Sequence, residues 1–356
     1  MVKRSWHIRL LREGEERALY ELEKAVRGVQ ALSYEDWLAK WRWWYRGSPY
    51  GDSQVWVAVD GNEIVGHYPL MTLRLVVDGA EMLAVQNTDL MTHPAYRRQG
   101  VFVALKSHGL GEAAEEGREI EFGFPNRASL AGHSKTGSLY LGRLHRAVKV
   151  YNWEAVLGHF VRRKALRRPT GYAGRMLDVA SRLAKAVPQG DIEVGEVAVF
   201  DSSVEELCRS LASKYRVSVL RSREFLNWRY SNPLGEFLRL VATRGSNTVG
   251  YAVVSVCDMD GLQMGTVLDC VGEGTPVLRA LLTSLVAKCS SLCDTLRFEW
   301  TGDGEYTLAV LRSGMVLCVG MPGASFHVRC PTQAAFAPVL RQRKNWFLLL
   351  GDSDAQ

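Results

Sequence analysis

One stretch of this chain occurs twice, about half a chain apart, and this repeat limits the folds open to it. Residues 49–66 read PYGDSQVWVAVDGNEIVG, and residues 233–250 read PLGEFLRLVATRGSNTVG. At a constant spacing of 184 residues the copies share a proline, two glycines and the pairs Val-Ala and Val-Gly. Each copy has the pattern of a strand, a tight hairpin and a second strand. Two such distant copies predict two domains of one fold rather than a solenoid.

The length supports this division, because 356 residues exceed what one core usually holds. We expect one domain at 1–160, a connector at 161–190 and a second domain at 191–356. The connector is basic at first and ends at Pro-Gln-Gly, which is typical of a linker. Strand and helix patterns alternate in both halves, so we predict an α/β protein (an α+β mixed sheet) with helices flanking a mixed sheet in each domain. The first half includes predicted strands at 54–60, 63–77, 81–92 and 144–156.

Charge and hydropathy exclude several function classes. The net charge of +6 is mild for this length and does not indicate nucleic-acid binding. The basic cluster RRKALRR at 162–168 lacks interleaved aromatic residues and is typical of a solvated helix face. The first residues turn charged before an apolar stretch of secretory length, and no apolar run approaches the roughly 18 residues of a membrane span. We therefore expect a cytoplasmic protein without a membrane partner.

The cysteines predict neither disulfides nor a metal centre. The seven cysteines are dispersed and form no C-x-x-C pair, which indicates reduced thiols packed as small apolar side chains. Cys289 and Cys293 lie one helical turn apart, but no second pair of ligands accompanies them. No metal is therefore expected.

The segment MTHPAYRRQGVFVALKSHGL, residues 91–110, predicts an anion site. A strand runs into Pro94, Arg97, Arg98 and Gly100 follow, and a helix pattern begins at once. The first amides of a helix have no partner within it, and the helix dipole makes that end positive. Gly100 allows close approach of a ligand to the backbone, and the two arginines add charge. This composition suits a pyrophosphate.

These residues resemble motif A of the GNAT superfamily of acyl-CoA-dependent N-acetyltransferases, Q/R-x-x-G-x-G/A after the fourth strand. EFGFPNRASLAGHSKTG (121–137) is similar to the following strand and helix of a branch that reads F-P-N and then K-x-G. LRSREFLNWRY (220–230) and the closing NWFLLLGDSDAQ also resemble segments of that branch. One position departs from the motif, since Phe102 stands where the family has Gly or Ala.

The resemblance implies a site for acetyl-CoA or a related acyl-CoA in the first domain, in a gap where two strands splay apart. The residues that it places along the cosubstrate are Leu90, Met91, Thr92, Arg97, Arg98, Gly100, Val101, Phe102 and Asn126. The amides of Arg98 and the three residues 100–102 would bind the pyrophosphate, and 90–92 would pair along the pantetheine arm. The equivalent loop of the second half, GEGTPVLRALLTS, has no arginine before its helix and carries Glu273. We therefore expect the second domain to have lost acyl-CoA binding and to help form the acceptor site.

Acyl transfer from a thioester to an amine requires a neutral amine, a stabilised oxyanion and a proton for the leaving thiolate. Asp89 lies two residues before Met91, on the same face of the predicted strand. It is either the base or a buried aspartate satisfied by hydroxyls such as Thr88 or Thr92. Glu121 on the next strand is the alternative base.

The proton donor of the superfamily is a Tyr four residues before a Gly, and that position, counted from Gly137, holds His133. A histidine can protonate a thiolate or can lie on a helix surface. Tyr140 is the second choice, although it lies on the other side of the glycine.

Two further segments have an open interpretation. In WLAKWRWWYRGSPY (37–50) the tryptophans 37, 41 and 44 have helical spacing, which predicts core packing, while one or two aromatics can border an acceptor. Asp352 and Asp354 in the C-terminal tail can attract a cationic acceptor or can belong to a solvated tail.

Taken together, these patterns predict an acyl-CoA-dependent N-acyltransferase that moves an acyl group to the amine of a small molecule or amino sugar by direct attack in a ternary complex. The first alternative is a non-catalytic GNAT-fold protein that binds CoA or a partner. The second is a transferase that uses aminoacyl-tRNA, which the motif A arginines disfavour.

Overall fold

The computed structural model describes residues 5–28, 32–160, 191–302, 304–321 and 323–354. These residues form two mixed β-sheets with helices packed on them. The connector expected at 161–190, with its basic cluster, lies outside the described residues. None of the described helices combines the length and the apolar character that a membrane crossing requires.

The strands, numbered in chain order, are β1 His7–Leu10, β2 Gln54–Asp60, β3 Glu63–Val77, β4 Ala80–Asn87, β5 Met91–Thr92, β6 Ile120–Gly123, β7 Leu139–Arg143, β8 His145–Val150, β9 Ile192–Glu196, β10 Val217–Val219, β11 Phe237–Arg244, β12 Asn247–Met259, β13 Leu262–Gly272, β14 Thr295–Trp300, β15 Val316–Leu317, β16 Ser325–Arg329 and β17 Trp346–Phe347. The helices are α1 Glu16–Arg27, α2 Tyr34–Arg46, α3 Val101–Glu115, α4 Leu130–Lys135, α5 Trp153–Phe160, α6 Ser202–Ala212, α7 Arg223–Arg229, α8 Gly274–Lys288, α9 Gly304–Arg312 and α10 Ala337–Leu340.

The first sheet has the order β1-β2-β3-β4-β6-β16-β7, with β5 and β10 also paired to β3, and β17 paired to β10. The second sheet has the order β15-β8-β14-β13-β12-β11-β9. In both sheets a long antiparallel meander leads into a parallel pair, β4 with β6 in the first and β13 with β14 in the second. The predicted α/β class with a mixed sheet in each half is therefore confirmed.

The internal repeat corresponds to equivalent hairpins. The strands β2 and β3 form the first hairpin, and β11 and β12 form the second. Each contains a register shift at the same place, between Ala58 and Val59 in the first and between Ala242 and Thr243 in the second. An irregularity retained at the same position shows that the two halves share local geometry as well as sequence.

The last glycine of each copy explains part of the repeat. A Cβ on Gly66 would lie 2.7 Å from Val101 at the start of α3, and a Cβ on Gly250 would lie 2.5 Å from Val277 in α8. Only glycine therefore lets each helix approach its sheet this closely. The same strand–helix contact is built twice.

The two sheets exchange a strand, so the expected boundaries at 160 and 191 do not separate them. β8, from the first half, pairs with β14 and β15 of the second sheet. β16, from the second half, lies between β6 and β7 of the first sheet. The two chain segments cross where Leu144 and Ala324 meet, and the amide of Leu144 donates to the Ala324 carbonyl at 2.9 Å. The predicted single strand at 144–156 is likewise wrong, since β8 ends at Val150 and α5 follows.

The strand predicted at 81–92 is also interrupted, and this opens the site. β4 ends at Asn87, and β5 pairs with β3 rather than continuing beside β6. Asp89 has a φ of 38°, which a continuous strand does not allow. Gly123 accommodates the split, because a Cβ there would lie 2.0 Å from the side-chain oxygen of Asn87. The expectation that Asp89 and Met91 share one strand face is therefore wrong.

The aromatic helix α2 packs into the core, as its spacing predicts. Trp37, Trp41 and Trp44 are buried. Trp43 and Trp228 join the two halves, since each indole Nε1–H donates to the other's backbone carbonyl at 2.9 Å. The aromatic residues beside the two repeat copies thus pack against one another.

Candidate functional site

A cleft of about 640 Å³ opens beside β5 and the start of α3. We call it the cofactor cleft. Its walls include every residue that the sequence places along an acyl-CoA, namely Leu90, Met91, Thr92, Arg97, Arg98, Gly100, Val101, Phe102 and Asn126. The interruption between β4 and β5 and the N-terminus of α3 together form this cleft. The gap between splayed strands is therefore present where it was predicted.

The loop before α3 has the geometry of an anion site. Arg98 has a φ of 63° and Gly100 a φ of 84°, so both adopt the left-handed conformation. Alternating backbone conformations of this kind turn successive amides toward one point. Gly100 also precedes the first residue of α3 without a side-chain cap. The hydroxyl of Tyr96 donates to Asp60 at 2.8 Å and anchors the loop to the hairpin of β2 and β3.

The bulky Phe102 fits because a glycine faces it. A Cβ on Gly132 in α4 would lie 2.5 Å from the ring of Phe102. The same ring meets His133 edge-on at a centroid distance of 5.3 Å. The departure from motif A therefore contributes a wall of the cleft instead of blocking it.

A second cleft of about 370 Å³ adjoins the first. We call it the acidic cleft, since Asp89 and Asp354 line it. Five residues line both clefts, namely Val26, Leu90, Met91, Asn126 and Ser129. The two spaces therefore meet around Met91 and Asn126.

Asp89 is held by charged and phenolic groups. Its carboxylate accepts from Arg27 Nη2 at 2.6 Å and from the hydroxyl of Tyr45 at 2.9 Å. The hydroxyl of Thr88 instead pairs with that of Tyr45, at 3.1 Å. The prediction that neighbouring hydroxyls satisfy Asp89 is therefore wrong. The side chain is 35% exposed and remains accessible from the acidic cleft.

The C-terminal tail is built into the protein. Asp352 is buried and accepts from Arg221 Nη2 at 2.6 Å, while its backbone carbonyl accepts from Gln86 at 2.5 Å. Arg229 donates to the carbonyls of Gly351 and Ser353. The interpretation as a solvated tail is therefore wrong for residues 350–353. The segments 220–230 and 345–354, which the sequence associates only by resemblance, contact each other directly.

This docking places Asp354 in the acidic cleft. Its side chain is open to the cleft, but the surrounding protein removes part of its water. Desolvation and then repulsion by Asp89 raise the pKa of Asp354 to about 6. The sequence identified Asp354 only as a carboxylate of the C-terminal tail. Its place in the cleft depends on Arg221 and Arg229, which hold the tail and lie far away in the sequence.

His133 and Glu121 belong to a buried cluster around Lys106. Lys106 Nζ lies 2.7 Å from Glu121 Oε1, 2.6 Å from His133 Nδ1 and 2.8 Å from Ser138 Oγ. His327 on the exchanged strand β16 lies 3.4 Å from the same Glu121 oxygen. The lysine charge holds the pKa of Glu121 far below its usual range, although burial opposes this. Glu121 lines neither cleft, which contradicts its role as the alternative base.

His133 is one of the residues that line the acidic cleft. Burial and then the charge of Lys106 lower the pKa of His133 to about 3. The imidazole is therefore neutral at physiological pH, and its burial excludes the alternative of a residue on the helix surface. Tyr140, the second choice for the proton donor, is 46% exposed on β7 and lines neither cleft.

The cluster also resembles a metal site in its donor set. Donor atoms of Glu121, His133 and His327 lie within 4.8 Å of one another. Lys106 Nζ, however, is within hydrogen-bonding distance of the first two. The residues therefore fit an ammonium cation supplied by the chain, and we assign no metal to this cluster.

The corresponding loop of the second half has a different shape. β13 ends at Gly272 and α8 begins at Gly274, so a single residue separates strand and helix. That residue, Glu273, lies 3.8 Å from Arg244. In the first half, by contrast, residues 93–100 separate β5 from α3.

Comparisons with known proteins agree with these features. Residues 7–135 match the family model of an acetyltransferase (GNAT) domain. No curated protein matches the sequence significantly. Solved structures do match the fold. A GCN5-related N-acetyltransferase from Anabaena variabilis is 12% identical with a TM-score of 0.65, over 94% of this chain and 75% of that one.

Two other solved structures are similar over most of the chain. A GCN5-related N-acetyltransferase from Kribbella flavida is 15% identical with a TM-score of 0.63, over 95% of this chain and 74% of that one. A tandem GNAT protein from the clavulanic acid biosynthesis pathway is 15% identical with a TM-score of 0.55, over 91% of this chain and 98% of that one. Residues 7–135 therefore match a GNAT acetyltransferase domain, and the chain has the fold of a tandem GNAT protein.

Proposed function

We propose that the protein transfers an acetyl group from acetyl-CoA to the primary amine of a small molecule or amino sugar. One observation carries this proposal more than any other. A cleft with a pyrophosphate-type loop meets a cleft with two carboxylates, at Met91 and Asn126. An acyl donor in the first cleft and a cationic amine in the second would bring their reacting groups together at that junction.

The residues of the cofactor cleft would bind the donor. The amides of Arg98 and of residues 100–102, with the charges of Arg97 and Arg98, would hold the pyrophosphate. The backbone of residues 90–92 would pair along the pantetheine arm, and an amide near Met91 would stabilise the oxyanion. One such donor typically contributes about 3 kcal/mol to the transition state.

The carboxylates of the acidic cleft would orient and deprotonate the amine. Arg27 and Tyr45 fix the position of the Asp89 carboxylate, which is still accessible from the cleft and can accept a hydrogen bond from an ammonium group. Asp354 has its pKa near 6 and is therefore better matched to accept a proton near neutrality. We assign binding to Asp89 and the role of base to Asp354.

Calorimetric titration with acetyl-CoA tests the cofactor cleft. Gly100→Asp introduces bulk and negative charge into the loop and should abolish binding. Gly274→Asp is the matched control, because Gly274 also has a positive φ, of 75°, and occupies the equivalent loop of the second half. An equal loss of acetyl-CoA binding in both variants would indicate a general effect on folding. Absence of binding to the wild type would refute the proposal.

Turnover separates this function from its alternatives. Asp89→Asn and Asp354→Asn should keep acetyl-CoA affinity and lose acetylation of an amine panel, whereas a pure binding protein has no turnover to lose. An aminoacyl-tRNA-dependent enzyme would instead show activity that ribonuclease destroys.

A further inference from the structure

The ammonium of Lys106 is surrounded by acceptors in a way that fixes the direction of each hydrogen bond. It has three protons and no lone pair, and it lies within hydrogen-bonding distance of Glu121 Oε1, Ser138 Oγ and His133 Nδ1. The hydroxyl of Ser138 in turn donates to Glu121 Oε2 at 3.2 Å. Each lysine proton thus has one acceptor.

This arrangement determines the tautomer of His133. An ammonium cannot accept a hydrogen bond, so His133 Nδ1 must accept and the ring proton must be on Nε2. The ring packs between Phe102 and His327, at centroid distances of 5.3 and 4.3 Å. It lines the acidic cleft, while its neighbour Phe102 lines the cofactor cleft. A neutral imidazole with a fixed N–H therefore stands in the wall of the acidic cleft, next to a residue of the cofactor cleft.

We propose that Lys106 supplies, through His133, the proton that the departing CoA thiolate takes up. The inference rests on the proposed acyl transfer. As the carbon–sulfur bond breaks, the thiolate takes the proton from His133 Nε2 and an S–H bond forms. His133 Nδ1 simultaneously takes a proton from Lys106 Nζ, which becomes a neutral amine. The imidazole remains neutral throughout and only changes tautomer.

The surroundings make this transfer feasible. A free lysine has a pKa of about 10.4 and a thiol about 8.5, so an ordinary ammonium is a poor donor to a thiolate. Burial of Lys106 lowers its pKa and narrows this difference, and Arg329 acts in the same direction. Glu121 opposes it. The groups that face the lysine come from several elements: Glu121 from β6, His133 from α4, Ser138 from the loop before β7, and His327 and Arg329 from β16.

The relay resets after the products leave. His133 then carries its proton on Nδ1, facing the lone pair of the neutral lysine, and Nε2 can accept from water in the emptied cleft. A solvent proton that reaches Nε2 through that water drives the Nδ1 proton back to Lys106 and restores the starting state. The acceptor binds as an ammonium and loses two protons, which leave through Asp354. The relay takes one proton back from solvent, so the reaction as a whole releases one proton.

The tautomer can be measured on the wild-type protein without any activity. Nitrogen-15 spectra of histidine-labelled protein, assigned with His133→Gln, should show His133 with a bare Nδ1 and a protonated Nε2, and no titration between pH 5 and 9. A proton on Nδ1, or a titration near pH 6.5, would overturn the inference. This outcome is independent of whether acetyl-CoA binds.

Kinetics test the proton transfer itself. Lys106→Met alone would leave Glu121 charged and buried, so the double variant Lys106→Met/Glu121→Gln is used, with its folding verified by thermal melting. We expect kcat to fall about 10–100-fold, the scale of general acid catalysis, with little change in acetyl-CoA affinity. The pH profile should also change. If Lys106 is the proton source, the wild-type rate should fall at alkaline pH as Lys106, whose pKa is lowered by burial, loses its proton, and the double variant should lack this decrease.

A double variant with unchanged kcat and an unchanged pH profile would exclude Lys106 as the proton source. A kcat reduced at every pH by the same factor would indicate a structural role instead. Failure of the wild type to bind acetyl-CoA in the calorimetric titration would refute the proposed function and leave the tautomer assignment standing.

Discussion

Arg221 Nη2 lies 2.6 Å from Asp352 Oδ2, and this buried ion pair joins the start of α7 to the C-terminal tail. Both side chains are less than 5% exposed. The pair holds the tail between the two halves, with Asp354 two residues further on in the acidic cleft. A contact from the second half therefore positions a group of the candidate site in the first.

Removing the arginine should release the tail. In Arg221→Met the buried carboxylates of Asp352 and Asp269 lose the arginine that pairs with both, so we expect a loss of about 3–5 kcal/mol in the free energy of unfolding. Amine acetylation should fall more than acetyl-CoA affinity. Arg223→Met is the control, because Arg223 is 48% exposed and pairs only with its neighbour Glu224 among the ion pairs described. Denaturant unfolding gives the stability of both variants. Equal stability of the two would contradict the role assigned to the pair of Arg221 and Asp352.

The repeated glycines provide a matched pair of variants. A Cβ at position 66 would lie 2.7 Å from Val101 and one at 250 would lie 2.5 Å from Val277, so Gly66→Ala and Gly250→Ala should each destabilise the protein by about 1–3 kcal/mol. Only Gly66→Ala displaces the first turn of α3, which lines the cofactor cleft. We expect acetyl-CoA affinity to weaken in that variant and to be retained in Gly250→Ala. Calorimetry that found equal affinity in both would exclude this coupling.

The pKa of Asp354 predicts the pH dependence of amine acetylation. The carboxylate acts as a base only when it is deprotonated, and its pKa is raised to about 6. The value of kcat/KM for the amine should therefore be fully developed above about pH 7 and fall as pH drops through 6. Asp354→Asn should remove this acidic limb together with most of the activity. If the limb persists in the residual activity, another group sets it.

The exchanged strands predict how the chain can be divided. Residues 1–175 expressed alone would lack β16, which lies between β6 and β7. Residues 176–356 alone would lack β8, which pairs with β14 and β15. Each fragment should be insoluble by itself because strand edges and apolar surface are exposed. Co-expression should give a soluble complex that sediments as one species, whereas two independently soluble fragments would contradict the strand exchange.

Local sequence patterns were sufficient for several elements of the site. The residues of the motif A strand–loop–helix line one cleft, because glycine, paired arginines and a helix start lie within a few residues of each other. The spacing of Trp37, Trp41 and Trp44 predicted their burial for the same local reason. The assignments that depended on a straight strand were wrong, since the break after Asn87 turns Asp89 out of the sheet.

The buried cluster shows where local patterns end. His133 attracted attention through its distance from Gly137, yet Lys106, 27 residues earlier in the chain, determines which of its ring nitrogens accepts a hydrogen bond. Nothing in the surroundings of Lys106 in the sequence marks it, because it stands in an ordinary apolar helix. Glu121 looked like a free base in the sequence. Only the fold shows that its carboxylate is already paired with Lys106.

The sequence by itself determined the tandem organisation, the mixed α/β class and the loop that suits a pyrophosphate. These features depend on short-range geometry: hairpin turns, helix starts and the alternation of apolar residues. Only the tertiary structure decided which half supplies each strand and where the tail ends. It also decided which ionisable groups are charged. Those outcomes depend on burial and on charges brought together from distant parts of the chain, and the free energy of a buried charge is set by its neighbours in space rather than in sequence.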